Sequence, residues 1–226
     1  MEWGIINNKE VHKRVKKEIN DFLKSNGFTR QSSTMWIKER NELIQIIFLH
    51  FSYGQEDFNF DIAVQPFCVP SDDICLYISQ RLSYFDRRNG FHSWGINDEI
   101  KLMDDIKDAE NVLAENVFPW FEKISDCNTL IKFLNSTEAG KSFHISPLFK
   151  AELLARLCFY HHHFIRANAY SEKFILMSEK YDDEKIKRTA NEIKEMIVLS
   201  KTNRKALDNN FQKIIVENQN KWKLKK

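Results

Sequence analysis

The amino-acid sequence predicts an α+β fold with an antiparallel four-stranded sheet flanked by helices on one face, followed by an all-α C-terminal extension. Between Met35 and Pro66, three runs alternate apolar and polar residues with the period of two that a half-buried strand requires. Short turns separate these runs, which predicts antiparallel pairing. From Ser146 onwards the apolar residues recur every three or four positions, which is typical of amphipathic helices.

The elements of the N-terminal part follow from this periodicity and from turn residues. Asn8–Ser25 is predicted to be a helix that ends at Asn26-Gly27, because glycine favours the left-handed cap. In the strand Asp57–Pro66, one alternating set is predicted to face the core and the other to face water. The core set is Phe58, Phe60, Ile62 and Val64, and the solvent set is Asp57, Asn59, Asp61 and Gln65. The predicted strands are Thr34–Arg40, Leu43–Phe51, Asp57–Pro66 and Ile74–Leu82.

The remaining pattern is helical. A helix is predicted from Asp98 to Phe118, and Pro119 is expected to kink or restart it. A short helix follows to Leu134. The polar segment Ser136–Ser142 is the best boundary, so we expect an α+β domain over residues 1–140 and a helical extension over 141–226 packed on it.

The extension is predicted to contain a helical hairpin and a long final helix. Its predicted helices are Leu148–Arg166, Tyr170–Lys180 and Asp182–Gln219, the last with a break near Lys201–Arg204. The apolar seam of the last helix must pack against its own chain or against a second copy. We expect its own chain, and self-association through this helix is the alternative.

Composition and charge exclude several classes of protein. The chain has 226 residues, of which 42% are hydrophobic, and only 6 Gly and 4 Pro, so it is not a disordered chain. No signal-peptide pattern and no window of ~20 apolar residues is present, which predicts a cytoplasmic protein without a membrane partner. Cys68, Cys75, Cys127 and Cys158 lack paired spacing and are expected to be free thiols. The net charge of +2 hides a basic C-terminal stretch, with 12 Lys and Arg against 7 Asp and Glu from Tyr181 onwards. Such a stretch on a helix is more often a solvated face than a nucleic-acid site, so a nucleic-acid partner is not expected.

A set of landmarks along the first part of the chain resembles the bacterial domain-of-unknown-function family 4304. These landmarks are Asn26-Gly27-Phe28, Trp36-Ile37-Lys38, Ile44–Ile47, Phe58–Ile62, Arg81-Leu82 and Val117–Trp120. The resemblance spans about residues 9–134. It implies a small cytosolic α+β domain of uncharacterised activity, found in the company of immunity or defence factors, and it implies no catalytic residues.

The segment between the last strand and the next helix is the predicted binding site. Aromatic and basic residues, which anchor protein interfaces, are crowded there. The candidate binding residues are Arg87, Arg88, Phe91, His92 and Trp94. The alternative interpretation is that Phe91 and Trp94 pack under the following helix.

No catalytic motif is present, and the sequence predicts neither a cofactor nor a bound metal. His161-His162-His163 is predicted to be helical, and consecutive helical residues point about 100° apart, so one ion cannot use all three. Asp57 and Asp61 lie on one strand face, which leaves a metal-dependent nuclease or hydrolase as the alternative function. The favoured prediction is a non-enzymatic cytosolic protein-binding module, with another protein as its partner.

Overall fold

The computed structural model describes residues 8–52, 56–72, 74, 78–86, 93–96, 99–137, 139 and 145–222. The chain divides into two compact units. The first, here the sheet unit, comprises Met1–Arg40, Ile44–Val64 and Leu76–Lys123. The second, here the helical unit, comprises Asn41–Leu43, Gln65–Cys75 and Ile124–Lys226. The predicted domain division after residue 140 stays a prediction.

The sheet is antiparallel, which confirms the predicted α+β class. Its strands are β1 (Thr29–Arg30), β2 (Met35–Arg40), β3 (Leu43–Phe51), β4 (Asp57–Pro66), β5 (Ile78–Arg81) and β6 (Trp94–Gly95). The strands β1 to β5 lie side by side in chain order, and β6 pairs with β4. The structure therefore adds two short strands, β1 and β6, to the four that were predicted. A two-residue strand leaves too few alternating positions for its periodicity to be recognised.

Both faces of β4 are buried over most of its length. The set predicted for the core, Phe58, Phe60, Ile62 and Val64, is fully buried. The prediction that the other face contacts water is wrong for Asn59 and Gln65, which are also buried. Both amides take part in hydrogen bonds or other polar contacts, and the Asn59 side-chain oxygen accepts the backbone N–H of Phe60 at 2.8 Å. A neutral amide with such partners can leave water at low cost.

The first helix, α1, has the predicted bounds Asn8–Ser25. The chain leaves the helix through Gly27, whose φ of 81° is the left-handed conformation that glycine adopts without strain. Val15, Ile19 and Leu23 are fully buried along one side of the helix. The indole N–H of Trp36 on β2 donates to Asn20 Oδ1 at 3.1 Å, which fastens α1 to the sheet.

The helical segments that complete the sheet unit include an irregular turn ahead of Pro119. These segments are α2 (Leu82–Phe85), α3 (Glu99–Val112), a π-helical turn (Leu113–Val117) and α4 (Phe118–Lys123). Proline has no N–H, and its ring would clash with the carbonyl four residues earlier in a regular helix. In the wider turn the N–H of Phe118 donates to the Leu113 carbonyl, five residues back. The interruption predicted from Pro119 is thus a π-helical turn.

The helical unit contains α5 (Cys127–Leu134), α6 (Pro147–Tyr160), α7 (Phe164–Ser178), α8 (Glu184–Thr202) and α9 (Arg204–Lys221). The side chains of Asp126, Ser146, Asp183 and Asn203 cap the N-termini of α5, α6, α8 and α9. Asn203 separates α8 from α9, which confirms the break predicted near Lys201–Arg204. None of the described helices is long and apolar enough to cross a membrane.

The apolar faces of α6, α7 and α8 meet in one core. It is built from Ala151, Ala155, Phe174, Ala190 and Ile193. Small alanines allow close approach of the helices, and the aromatic ring fills the space between them.

The last helix is anchored through its own unit. Asn218 on α9 is buried, and its amide donates to the backbone carbonyls of Phe67 and Val69, both at 2.8 Å. The seam residues Leu207 and Phe211 are buried as well. Self-association through this helix stays a prediction.

Candidate functional site

The predicted binding segment lies largely outside the described residues. This holds for Arg87, Arg88, Phe91 and His92, whose role in partner binding stays a prediction.

Trp94, the fifth residue of that set, is a core residue. Its side chain is fully buried, and its ring stacks on Phe58 with 6.0 Å between the centroids. Its indole N–H donates to Asp108 Oδ2 on α3 at 2.7 Å. The expectation that Trp94 contacts a partner is corrected here, because the ring packs under the following helix, as the alternative interpretation had it.

Asp57 and Asp61, the basis of the hydrolase alternative, are each engaged by neighbours. Asp57 Oδ2 accepts the hydroxyl of Ser93 at 2.9 Å. Asp61 lies 3.8 Å from His50 Nε2 and 4.0 Å from Arg81 Nε. Four residues of extended strand place the Cα atoms of Asp57 and Asp61 about 13 Å apart, which is too far for both carboxylates to reach a single ion. The hydrolase alternative stays a prediction, and it needs further ligands beyond these two.

The three histidines form the turn between α6 and α7, since α6 ends before them. His162 has a φ of 58°. His161 Nδ1 lies 3.2 Å from the amide nitrogen of Asn128, and His163 Nε2 lies 3.2 Å from its amide oxygen. His162 instead lies 3.1 Å from Asp208. The prediction that these histidines are helical and point about 100° apart is therefore wrong. His161 and His163 both contact Asn128.

His161 also belongs to a cluster with Glu42 and Cys127, which we call the His–Cys–Glu cluster. Glu42 lies in the tight turn between β2 and β3, and Cys127 is the first residue of α5. The ligating atoms of the three side chains all lie within 4.8 Å of one another. Glu42 Oε2 accepts the backbone N–H of Cys127 at 3.1 Å and lies 3.5 Å from His161 Nε2.

The side chains of Cys68 and Tyr160 lie beside this cluster. Cys127 and Cys68 are buried and hydrogen-bonded to each other, and this bond together with burial raises the pKa of Cys127 well above its usual value. Burial, assisted by the Glu42 carboxylate, raises the pKa of Tyr160 to about 12. A cavity of 390 Å³ opens beside the cluster and is lined in part by Glu42, Tyr160 and His161. The cluster thus combines buried thiols with carboxylate and imidazole groups at the edge of a cleft.

A second feature of the helical unit is an exposed apolar face on α7. Ile165 is 89% exposed and Leu176 is 66% exposed. Eleven positions correspond to three helical turns, so both side chains lie on the same face of the helix. Ala167, Ser171 and Phe174 on the other face are buried. The sequence places Ile165 within an apolar run, which concealed that it faces solvent.

The comparison with protein families concerns the sheet and its helices. A family model described as Domain of unknown function (DUF4304) matches residues 19–123. The predicted resemblance is confirmed. The matched region begins inside α1 and ends with α4, so the helices α5 to α9 lie beyond it. No curated protein and no solved structure matches the chain.

Proposed function

We propose that this chain is a non-enzymatic protein-binding module that acts in the cytoplasm. The observation that carries the proposal is the exposed apolar face of α7. Ile165 and Leu176 lie about 16 Å apart on that face at 1.5 Å per residue. Burying a large aliphatic side chain contributes about 1.5–3 kcal/mol, so a partner that covers both gains substantial free energy.

The chemistry around these side chains supports a protein partner. Ala169 and Glu172 are exposed on the same face between the two aliphatic side chains, and Arg166 and Lys173 are exposed at its edge. Protein interfaces likewise combine apolar contacts with polar and charged groups. A helix that presents aliphatic side chains on one face can dock on a partner.

The compartment and the class of partner rest on separate support. The described cysteines Cys68, Cys127 and Cys158 are free and buried, as is common in a reducing compartment. The association of DUF4304 proteins with immunity and defence factors, which the resemblance implies, favours a bacterial partner of that class.

The direct test is affinity capture with the full chain as bait in extract of its source cells. The double variant Ile165→Glu/Leu176→Glu should lose the proteins that the wild type captures, because it places two charges in the interface. Val198→Glu on α8 is the matched control, because Val198 is also an exposed aliphatic residue, at 56%. Its captured proteins should not change. Capture that is equal for the double variant and the wild type would refute the α7 surface.

The same experiment tests the segment predicted from sequence. Arg88→Glu should reduce capture if residues 87–92 contribute to the interface, and unchanged capture would remove that segment from the proposal.

A further inference from the structure

We propose that Glu42, Cys127 and His161 form a Zn²⁺ site in the helical unit. A thiolate, an imidazole and a carboxylate are the three ligand types that zinc binds in proteins. Mg²⁺ and Ca²⁺ prefer oxygen ligands alone, so the chemistry of this cluster selects a softer ion.

The separations in the cluster are close to those of a zinc centre. Zinc binds sulfur at about 2.3 Å and nitrogen or oxygen at about 2.0–2.2 Å, which places neighbouring ligand atoms roughly 3.5 Å apart. Glu42 Oε2 and His161 Nε2 already have this separation, at 3.5 Å. With every pair of ligating atoms within 4.8 Å, side-chain adjustments of about 1 Å suffice to bind one ion.

His161 provides a second, independent indication. Its Nε2 atom is buried and lies 3.5 Å from Glu42 Oε2, but it has no hydrogen-bond partner among the described residues, and the side chain as a whole is 17% exposed. A buried polar atom without a partner is uncommon and requires an explanation. An ion between Glu42, Cys127 and His161 would be the missing partner of this nitrogen.

Asn128 fixes the orientation of the His161 ring from outside the cluster. Its amide lies 3.2 Å from His161 Nδ1 and 3.2 Å from His163 Nε2. When Nε2 binds an ion, Nδ1 carries the proton and donates it to an acceptor. A rotation of the Asn128 amide by 180° presents its oxygen to His161 and its NH₂ group to His163, so both contacts persist.

Three protein ligands leave a fourth coordination position, and a cavity lies beside the cluster. Glu42 and His161 line this cavity, and Glu42 is 31% exposed, so the ion and a water molecule can enter from there. Three protein ligands and one open position are the arrangement of zinc sites that bind a small molecule or water. Zinc binds the thiolate form of a cysteine, so binding to Cys127 releases the thiol proton and the Zn²⁺ affinity should increase with pH.

The test uses the full chain, stripped of metal and kept reduced. Zn²⁺ is titrated in competition with a coloured chelator, and Co²⁺ is used in parallel because cobalt bound to a thiolate absorbs in the near ultraviolet. We expect one Zn²⁺ per chain and a thiolate band with Co²⁺. Cys127→Ser, His161→Gln and Glu42→Gln should each weaken Zn²⁺ binding by about 100-fold or more, and Cys127→Ser should remove the cobalt band.

The controls separate loss of a ligand from loss of the fold. Cys158→Ser and His162→Gln remove the same residue types outside the cluster and should bind Zn²⁺ like the wild type. Asn128 is exposed, so Asn128→Ala should melt like the wild type and still bind zinc about 10-fold to 100-fold more weakly. Absence of one-to-one Zn²⁺ binding would overturn the proposal. So would Glu42→Gln and Asn128→Ala variants that bind Zn²⁺ as tightly as the wild type.

Discussion

The two units of the chain each contain ionisable side chains of the kind that bind metals, but they arrange them differently. In the sheet unit, Asp57 and Asp61 lie four residues apart on one strand, about 13 Å from each other. In the helical unit, Glu42, Cys127 and His161 come from three distant segments, yet their ligating atoms lie within 4.8 Å. The strand keeps its carboxylates apart, and the tertiary fold brings the other group together.

The difference shows why a shared face is not the same as a shared site. The fixed rise per residue of a strand sets the spacing of its side chains. Each carboxylate is therefore contacted by different neighbouring residues. Ser93 binds Asp57, while His50 and Arg81 lie near Asp61. Among the described residues, buried imidazole nitrogens without a hydrogen-bond partner occur in both units, at His50 Nε2 beside Asp61 and at His161 Nε2, so the distance between the ligating atoms is what separates the two groups.

The largest effect expected in the sheet unit comes from Trp94→Ala. The substitution removes a fully buried ring and the donor to Asp108, so we expect a loss of about 3–5 kcal/mol in the free energy of unfolding. Urea denaturation of the full chain measures it. Tyr84→Ala, at an exposed aromatic residue, should change stability by only about 0.5 kcal/mol. Equal stability of Trp94→Ala and the wild type would place Trp94 back among the surface residues.

Arg156→Ala tests whether a charged group in the helical unit is structural. The Arg156 side chain is only 2% exposed, and it lies 3.0 Å from Glu152 and 2.8 Å from Glu192. Removing the buried guanidinium leaves the carboxylate of Glu152, which is only 19% exposed, without its partner, so we expect a loss of about 3 kcal/mol. Arg188→Ala is the matched control, because Arg188 contacts the same Glu192 but is 73% exposed. If both variants lose equal stability, burial is not the deciding difference.

The elements with local signals could be predicted from sequence. Helix α1 has an uninterrupted apolar face and a glycine cap, and Asn203 falls where the polar residues Ser200 and Arg204 interrupt the seam. The end of α6 could not be predicted, because Phe164 and Ile165 continue its apolar pattern beyond the turn. The turn depends on the left-handed backbone of His162, for which no glycine or proline gives a signal.

The candidate site could not be predicted for a related reason. Glu42 and Cys127 are 85 positions apart, so no motif spacing links them. The histidine run was evident in the sequence, but we predicted it to be helical. In a regular helix the histidines would point in different directions and would not share a partner. The burial of Asn59 and Gln65 could not be predicted either, because polar residues that alternate along a strand normally indicate a solvent-exposed face.

A smaller effect is expected for the ion pair of the sheet unit. Arg81 is half-exposed and lies 4.0 Å from Asp61. Solvent screens such a pair, so Arg81→Ala should cost less than about 1 kcal/mol in urea denaturation. A loss as large as that of Arg156→Ala would show that the Asp61 face is an organised site.

The smallest effect concerns pH. Burial, the largest cause, lowers the pKa of His50 below 6.5, and Arg81 lowers it further, whereas Asp61 and Asp57 oppose the shift. The unfolded state therefore binds a proton more readily. The His50 contribution to stability is complete above about pH 6.5 and is lost as pH falls through the lower folded-state pKa. Melting curves of wild type and His50→Gln should converge on acidification, and a wild type that gains stability relative to the variant would contradict this sign.

Among the described residues, metal-binding side chains converge in the helical unit at Glu42, Cys127 and His161, and no such group occurs in the sheet unit. Thermal melting of the full chain with excess Zn²⁺, or with Mg²⁺ or Mn²⁺, tests it directly. Zinc at 100 times its dissociation constant stabilises the native state by about 2.7 kcal/mol, which should raise the melting temperature by roughly 5–10 °C. We expect that Asp61→Ala keeps this shift, that Cys127→Ser loses it, and that Mg²⁺ and Mn²⁺ produce none. A shift with Mg²⁺ or Mn²⁺ that Asp61→Ala abolishes and Cys127→Ser retains would contradict it.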